Sequence, residues 1–287
     1  MTNKIDLHLH STASDGTMTP AELANFAKEN GITVAAITDH DTVDGAEEFL
    51  TECEKIGITG IAGVEISADY EQEMHVLGLF IDHKNPELKA MLKRLRNARY
   101  ERNLKMMEKL HNYDINITES DILAQKKGGT LYDMGRAHFA AAMVEKGYVS
   151  GKREAFSKYL GNDADCYVPR FKLSPEMCAG MIQYAGGIAV LAHPFAITHK
   201  KRVLDNLLGQ IKEWGFDGVE AYHSSHSTTF NSRCLELAPK HGLIVTGGSD
   251  FHASTKPDVQ IGVVNKGSGT VPYEVYEQIT EYMQRRG

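Results

Sequence analysis

The strongest constraint on this chain's fold is where its chemically reactive side chains fall. Short apolar runs, such as Val34 to Ile37, Ile61 to Val64 and Ile188 to Leu191, each lead into histidine or a carboxylate, and they recur from one end of the sequence to the other. Asp6-Leu7-His8-Leu9-His10 opens the series. Thr38-Asp39-His40-Asp41, Gly63-Val64-Glu65, His75, Ala192-His193-Pro194 and Ser249-Asp250-Phe251-His252 continue it. Side chains alternate along a strand, so His8 and His10 share a face, as do Asp250 and His252, and each pair can grip one metal ion. A parallel α/β barrel gathers the C-terminal ends of its strands on one face and makes neighbours of residues far apart in sequence. Asp15, outside such a run, completes the set of candidate ligands.

The 287 residues suffice for one barrel of about 250 residues with an insertion, or for two smaller domains. Hydrophobic content of 42% and charged content of 24% are those of an ordinary globular chain. No apolar run reaches the roughly 18 residues of a membrane span, and Met1-Thr2-Asn3-Lys4 leads directly into a strand, so a cytoplasmic location without a signal peptide is expected. Cys53, Cys166, Cys178 and Cys234 form no C-x-x-C pair and are expected to be reduced structural thiols. Net charge is −7, yet residues 84–160 hold 16 Lys+Arg against nine Asp+Glu. An acidic body of that kind suits divalent cations, and a basic segment suits an anionic substrate.

Strand and helix patterns alternate at both ends of the chain. Thr19, Pro20 and Glu22 form a capping box with proline at the first helical position, and Gly31 and Gly57 close the first two helices. Two strands, Ile58 to Ile66 and Met74 to Ile81, flank too short a gap for a helix and predict a hairpin. After Asp82 the period becomes helical, from Pro86 to His111 and onward to Leu160, punctuated by Gly128-Gly129 and Gly147. Alternation resumes at Pro175 and ends with a strand from Val259 to Val264 and a helix from Tyr273 to Arg285. The expected division is a first barrel part, 1–82, a helical insertion over the barrel mouth, 83–174, and a second barrel part, 175–287.

His-x-His, T-D-H-D, G-V-E, H-x-x-G, A-H-P and S-D-x-H, in this order, resemble the polymerase and histidinol phosphatase (PHP) family of metal-dependent phosphoesterases. Leu7-His8-Leu9-His10-Ser11-Thr12-Ala13-Ser14-Asp15-Gly16 and Gly135-Arg136-Ala137-His138 are similar to a free-standing branch that includes nucleoside 3′,5′-bisphosphate phosphatases, 5′-3′ exoribonucleases and a cyclic phosphodiesterase acting on a phosphorylated ribose. Ala137 stands where relatives often carry proline. The resemblance implies an α/β fold, a distorted seven-stranded TIM-like barrel, with two or three Mn²⁺, Fe²⁺ or Zn²⁺ ions. It assigns His8, His10, Glu65 and Asp250 to a first ion, Asp15, His40 and His252 to a second, and Glu65 again with His75 and His193 to a third. The implied reaction is in-line attack on phosphorus by a metal-bridged hydroxide.

Asp6, Asp39 and Asp41 are expected to orient or cap ligands rather than to bind metal. Arg136 and His138, just ahead of an apolar helix, and Arg99 and Arg102, three residues apart on the long helix, are candidates for substrate phosphate. His223 or His226, after the sixth strand, is the candidate proton donor. Phe139, Tyr132 and Tyr167 are possible stacking platforms for a base. His83, His111, His199 and His241 read as surface residues. The expected partner is a small phosphorylated molecule, whether nucleotide, short RNA or sugar phosphate, with no obligatory protein partner. Two rival classes are a metal-dependent amidohydrolase and a non-catalytic metal-binding barrel; no lysine ends a barrel strand, where an amidohydrolase commonly recruits one to bridge metals.

Overall fold

The computed structural model describes residues 3–126 and 129–286 and divides into two compact units, 1–90 with 172–287, and 91–171. Met1, Thr2 and Gly128, used above in reading the sequence, lie outside the described residues. The unit boundaries differ from the expected 82/83 and 174/175. Helix α3 (Pro86–His111) runs through the first boundary, and Leu88 in its first turn is buried with the barrel unit. The junction at 171/172 falls before Leu173, whose carbonyl accepts from the Asp69 N–H within the barrel unit.

Seven strands form the sheet in sequence order: β1 (Lys4–Leu9), β2 (Ile32–Ile37), β3 (Thr59–Ser67), β4 (His75–Leu79), β5 (Ile188–Leu191), β6 (Gly218–His223) and β7 (Ile244–Gly248). The expected hairpin is present, since β3 pairs antiparallel with β4 from Gly63 opposite Leu79 to Ser67 opposite His75. β4 is also antiparallel to β5, so one reversed strand interrupts an otherwise parallel ring. That reversal brings His75 in at the start of its strand to the same end as Glu65, near the finish of its own. β1 and β7 approach across the seam, where the Asp250 N–H donates to the His8 carbonyl and the His10 N–H to that of Phe251. Gly248 permits this approach: a Cβ there would lie 2.4 Å from the Cβ of His8.

The helices around the sheet follow their caps. Thr19 and Glu22 form the capping box of α1 (Pro20–Glu29), and Gly57 ends α2 (Ala46–Ile56) in the left-handed region at φ 76°. Ser174 caps α7 (Pro175–Tyr184), and Ser227 caps α9 (Thr228–Lys240). α8 (Lys201–Glu213) and α10 (Tyr273–Arg286) complete this unit. Ile5, Leu7, Val34, Val190 and Ile279 of α10 share its core. The expected strand at 259–264 does not form. Gly262 at φ 71° and Asn265 and Lys266 at φ 55° and 53° turn the chain there. The Gly262 N–H donates to Asp6 instead of to a neighbouring strand.

The second unit contains α3 beyond its first turns, α4 (Glu119–Leu123), α5 (Arg136–Glu145) and α6 (Lys152–Ala155), which runs into a π-helical turn at Phe156–Leu160. Met106, Leu110, Phe139, Met143, Leu160 and Cys166 build its core. All four cysteines are free and buried. Among the described residues no helix is long and apolar enough to cross a membrane.

Candidate metal centre and arginine cluster

Glu65, fully buried near the end of β3, is the hub of the first cluster. Its Oε1 lies 2.8 Å from His75 Nδ1 and 2.9 Å from His193 Nε2. Its Oε2 lies 3.3 Å from His8 Nε2, 3.2 Å from His10 Nε2 and 3.1 Å from His40 Nδ1. Asp250 Oδ1 faces the Nε2 atoms of His8 and His10 at 3.6 and 3.3 Å. Asp15 faces His252 Nε2 at 3.1 Å, His10 Nδ1 at 3.5 Å and His40 Nε2 at 3.6 Å. All nine candidate ligands therefore converge, from the ends of six strands and the loop after β1. His10 and His40 each belong to two groups, so the clusters share members beyond Glu65.

These residues fit divalent cations on an independent ground. His8 Nε2, both nitrogens of His10, His40 Nδ1, His252 Nε2 and Glu65 Oε2 are buried and make no properly directed hydrogen bond. Leaving such atoms unpartnered costs about 1–3 kcal/mol each, and so many aimed inward mark a place for something electrophilic. Mixed nitrogen and oxygen donors suit Mn²⁺, Fe²⁺ or Zn²⁺.

Without cations, the cluster balances its own charge. Burial pushes the Glu65 carboxyl up, but His40, His75 and His8 around it hold it well below the usual carboxylate range. Burial likewise opposes ionisation of Asp15 and Asp250, and it is outweighed by His40 and His252 at the first and Lys256 and His10 at the second. Burial lowers His10, yet Asp250 and Glu65 raise it to about 9; at His40 burial prevails over Glu65 and Asp15, and the ring falls to about 3.

Other buried carboxylates shape the loops that carry the ligands. Asp6 accepts from the N–H groups of His8, Ser249 and Gly262 and from the Ser249 hydroxyl. Asp39 accepts from the Ser11 N–H and from the hydroxyls of Ser11 and Ser14, and Asp41 accepts from the Ser67 N–H. All three hold the loops that carry the ligands, through backbone N–H groups and serine hydroxyls. Asp41, Asp250 and His193 have positive φ angles of 52°, 59° and 27°. Strained backbone of this kind persists where surrounding contacts enforce it.

Glu220 was not foreseen. It is fully buried in β6, with Oε1 2.9 Å from His8 Nδ1 and Oε2 accepting from the His193 N–H at 2.8 Å. The sequence held a signal, because Gly218-Val219-Glu220 repeats the Gly63-Val64-Glu65 pattern. His223 Nδ1 accepts from the Ser225 N–H at 3.1 Å, so its proton resides on Nε2, 3.5 Å from Asp250 Oδ2. His226 differs. Fully buried against Phe195 and Phe230, it donates from Nδ1 to the Ala221 carbonyl, and burial, then His223, lower its pKa to about 3.

In the second unit, Arg102 is only 7% exposed and its Nε has no hydrogen-bond partner. Burial and then Arg99, Arg170 and Arg136 push its pKa well below the arginine norm. Arg136 is held by the Leu160 carbonyl and the Asn162 side chain, with its guanidinium 5.4 Å from the Tyr167 ring. His138 caps its own helix, its Nδ1 accepting from the Gly135 N–H. Sequence reading passed over Arg170. Tyr132 stacks on Tyr100, whereas Phe139 is core and offers no platform. At the surface, His83 pairs with Glu47 and His241 with Asp205.

A family model described as the PHP domain matches residues 6–189. The chain belongs to the PHP domain family. PHP relatives cover nearly the whole chain. A 5′-3′ exoribonuclease of Haemophilus influenzae is 34% identical over 88% of this chain and 91% of its own. A 3′,5′-nucleoside bisphosphate phosphatase of Chromobacterium violaceum is 34% identical over 90% of each. A solved Chromobacterium violaceum structure, described as an amidohydrolase with bound sulfate and no metal, superposes with a TM-score of 0.80, 32% identity and 96% coverage of both chains.

Proposed function

We propose that this PHP protein hydrolyses phosphate esters of small nucleotides or of 5′-phosphorylated oligoribonucleotides. The enzyme is a phosphoric ester hydrolase, and its relatives include both a phosphatase and an exoribonuclease. The observation that carries the reading is the convergence of nine imidazoles and carboxylates, five of which, His8, His10, His40, Glu65 and His252, hold buried atoms without a hydrogen-bond partner. Within the set, His8, His10, Glu65 and Asp250 are proposed to hold one cation, Asp15, His40 and His252 a second, and Glu65, His75 and His193 a third. Bound there, divalent cations supply Lewis acidity that activates water at neutral pH and offsets charge on the phosphoryl oxygens.

The remaining roles fall to the chain's own side chains. Glu65 joins the groups, each oxygen facing a different set of imidazoles. His223, its Nε2 N–H directed inward by the Ser225 contact at Nδ1, is proposed to donate a hydrogen bond to the leaving oxygen, and its protonated form would supply the proton. His226, neutral at any pH near 7, is committed to the Ala221 carbonyl and packs on Phe195 and Phe230 instead. Arg102, Arg99, Arg170 and Arg136 are proposed to bind the anionic substrate. Arginine clusters of this type recognise phosphate through several N–H donors at once. The rival amidohydrolase reading has a neighbour's description behind it, but here the joining carboxylate is Glu65, and the relatives that cover most of this chain are a phosphatase and an exoribonuclease.

The test compares adenosine 3′,5′-bisphosphate, a 5′-phosphorylated oligoribonucleotide and a cyclic ribose phosphate side by side with added Mn²⁺, following phosphate and nucleotide products. A parallel panel of amides and amidines reports ammonia. Phosphate release from the first or second substrate is the expected result. Ammonia release without phosphate release overturns it.

A further inference from the structure

We infer that Glu220 is a positioning residue that couples two parts of the metal centre, one oxygen setting the proton of His8 and the other setting the backbone of His193. This rests on the reading of the imidazole and carboxylate cluster as a cation site. Glu220 is fully buried within β6 and has no role among the nine ligands. Oε1 accepts from His8 Nδ1 at 2.9 Å, which commits the ring's proton to that side. His8 Nε2, buried and unpartnered 3.3 Å from Glu65 and 3.6 Å from Asp250, is then the nitrogen that gives up its proton to meet a cation. Oε2 accepts from the His193 N–H at 2.8 Å. His193 has φ 27° and ψ 59°, outside the favoured regions, and a fixed hydrogen bond at its N–H holds that conformation. Its Nε2 is thereby delivered to Glu65 Oε1, opposite the group that His8 joins.

Glu220, His8 and His223 also stand close enough together to resemble a further cation site. Their hydrogen bonds argue otherwise. Both Glu220 oxygens already accept N–H groups, His8 Nδ1 bears a proton, and His223 Nδ1 is taken by Ser225. A carboxylate behind a ligating imidazole fixes ring orientation and raises its basicity, and its loss typically weakens metal affinity 10- to 100-fold. Glu220 does this for one ligand while bracing another on the far side of Glu65, so its removal should weaken two groups together.

Glu220→Gln keeps the shape but cannot accept at both positions, because one end of the amide bears N–H. Titration of the apoprotein with Zn²⁺ and Mn²⁺, with bound metal counted by elemental analysis, should show affinity falling 10- to 100-fold for two ions. His75→Ala should affect one ion alone. In zinc-loaded wild-type protein labelled with ¹⁵N-histidine, long-range nitrogen–proton spectra, assigned with His8→Gln, should show His8 protonated on Nδ1 and coordinated through Nε2. Glu220→Gln that folds and binds every ion within twofold of wild type overturns the inference. So does a His8 ring coordinated through Nδ1 in the wild type, a result that decides the matter even when the glutamine variant does not fold. Neither readout depends on hydrolysis, so a wrong substrate assignment leaves this test intact. Failure of the wild type to bind cations defeats the metal-centre reading itself.

Discussion

Buried imidazoles interleave with buried carboxylates in the barrel unit, whereas the 91–171 unit gathers arginines around an arginine. In the first cluster each group relieves its neighbours: Glu65 and Asp15 are held ionised by histidines, and His10 is held protonated by Asp250 and Glu65. In the second, the leading influences on Arg102 are its burial and the charges of Arg99, Arg170 and Arg136, all acting in one direction. A self-compensating cluster can fold without its ligand and exchange protons for cations. A cluster of one sign carries a standing electrostatic cost that an arriving anion relieves. Cations suit the first cluster, and the second is proposed to take an anion.

The largest effect should come from breaking the first cluster. Asp250→Ala or His10→Ala is expected to lower kcat by at least about 10³-fold, on the scale of losing electrostatic stabilisation of the transition state, and added Mn²⁺ should not restore it. Chelation of the wild type should do the same, and Mn²⁺ should reverse it. Steady-state hydrolysis after metal depletion and repletion measures both. Retained activity in His10→Ala would remove the metal centre from the reaction.

Arg102→Met sharpens the comparison because its two consequences have opposite signs. Loss of a phosphate donor should raise KM about 10- to 100-fold, with a smaller change in kcat. Relief of a buried charge among like charges should leave the fold as stable as before or raise Tm by a few degrees. The matching change in the barrel, Asp6→Asn, should be purely destabilising. It turns an acceptor of four hydrogen bonds into a group that opposes some of them, at a cost of about 2–4 kcal/mol. Thermal melts beside steady-state kinetics separate the two, and a large loss of Tm in Arg102→Met would make that arginine structural.

What the sequence showed, it showed through residues whose chemistry is rare and whose place is regular. His8, His10, Glu65, Asp250 and the other ligands except Asp15 lie at strand ends, so a periodic apolar run locates them and the barrel assembles them. Glu220 escaped because it lies inside a strand in an unremarked Gly-Val-Glu, and only its partners, His8 and His193, distinguish it from a satisfied core acid. Arg170 escaped because its neighbours Arg102 and Arg136 are distant in sequence and no periodicity links a loop to a helix face. Direction was also hidden: nothing in the composition of β4 says that it runs against both neighbours. The segment 259–264 has the apolar content of a strand, but Gly262 and the positive φ of Asn265 and Lys266 bend it into a turn that serves Asp6.

The two regions should also differ in the protons they release on binding. Among the ligands, burial lowers His8 and His10, but Glu220, Glu65 and Asp250 raise the first well above the usual histidine range, while Asp250 and Glu65 raise the second to about 9. Both rings are therefore charged at pH 7 in the metal-free protein, and His40, at about 3, is already neutral. Cation binding requires neutral rings, so filling the cluster at pH 7 should release protons, with His8, His10 and His75 the ligands whose affinity for a proton is raised. Calorimetric titration with Mn²⁺ in buffers of different ionisation enthalpy counts them. Sulfate titrated into the 91–171 cluster should release none, since arginine stays charged and sulfate carries no proton at pH 7; equal release in both titrations would erase the distinction between the two regions.

The smallest expected effect belongs to His226. Its folded pKa, lowered to about 3 by burial and by His223, lies beneath the roughly 6.5 of an unfolded histidine. A depressed value means that the unfolded chain binds a proton the folded one refuses. The stability tied to this ring is then fully present above about pH 6.5 and is lost as the pH falls toward 3. His226→Gln, which retains a donor for the Ala221 carbonyl, should show a shallower decline of Tm between pH 6.5 and 4, equivalent to about one proton fewer taken up on unfolding. Its kcat at pH 7 should stay within a few-fold of wild type, because the ring is neutral and fully engaged there. A fall in kcat comparable to that of His223→Gln would instead make His226 the proton donor and His223 its support.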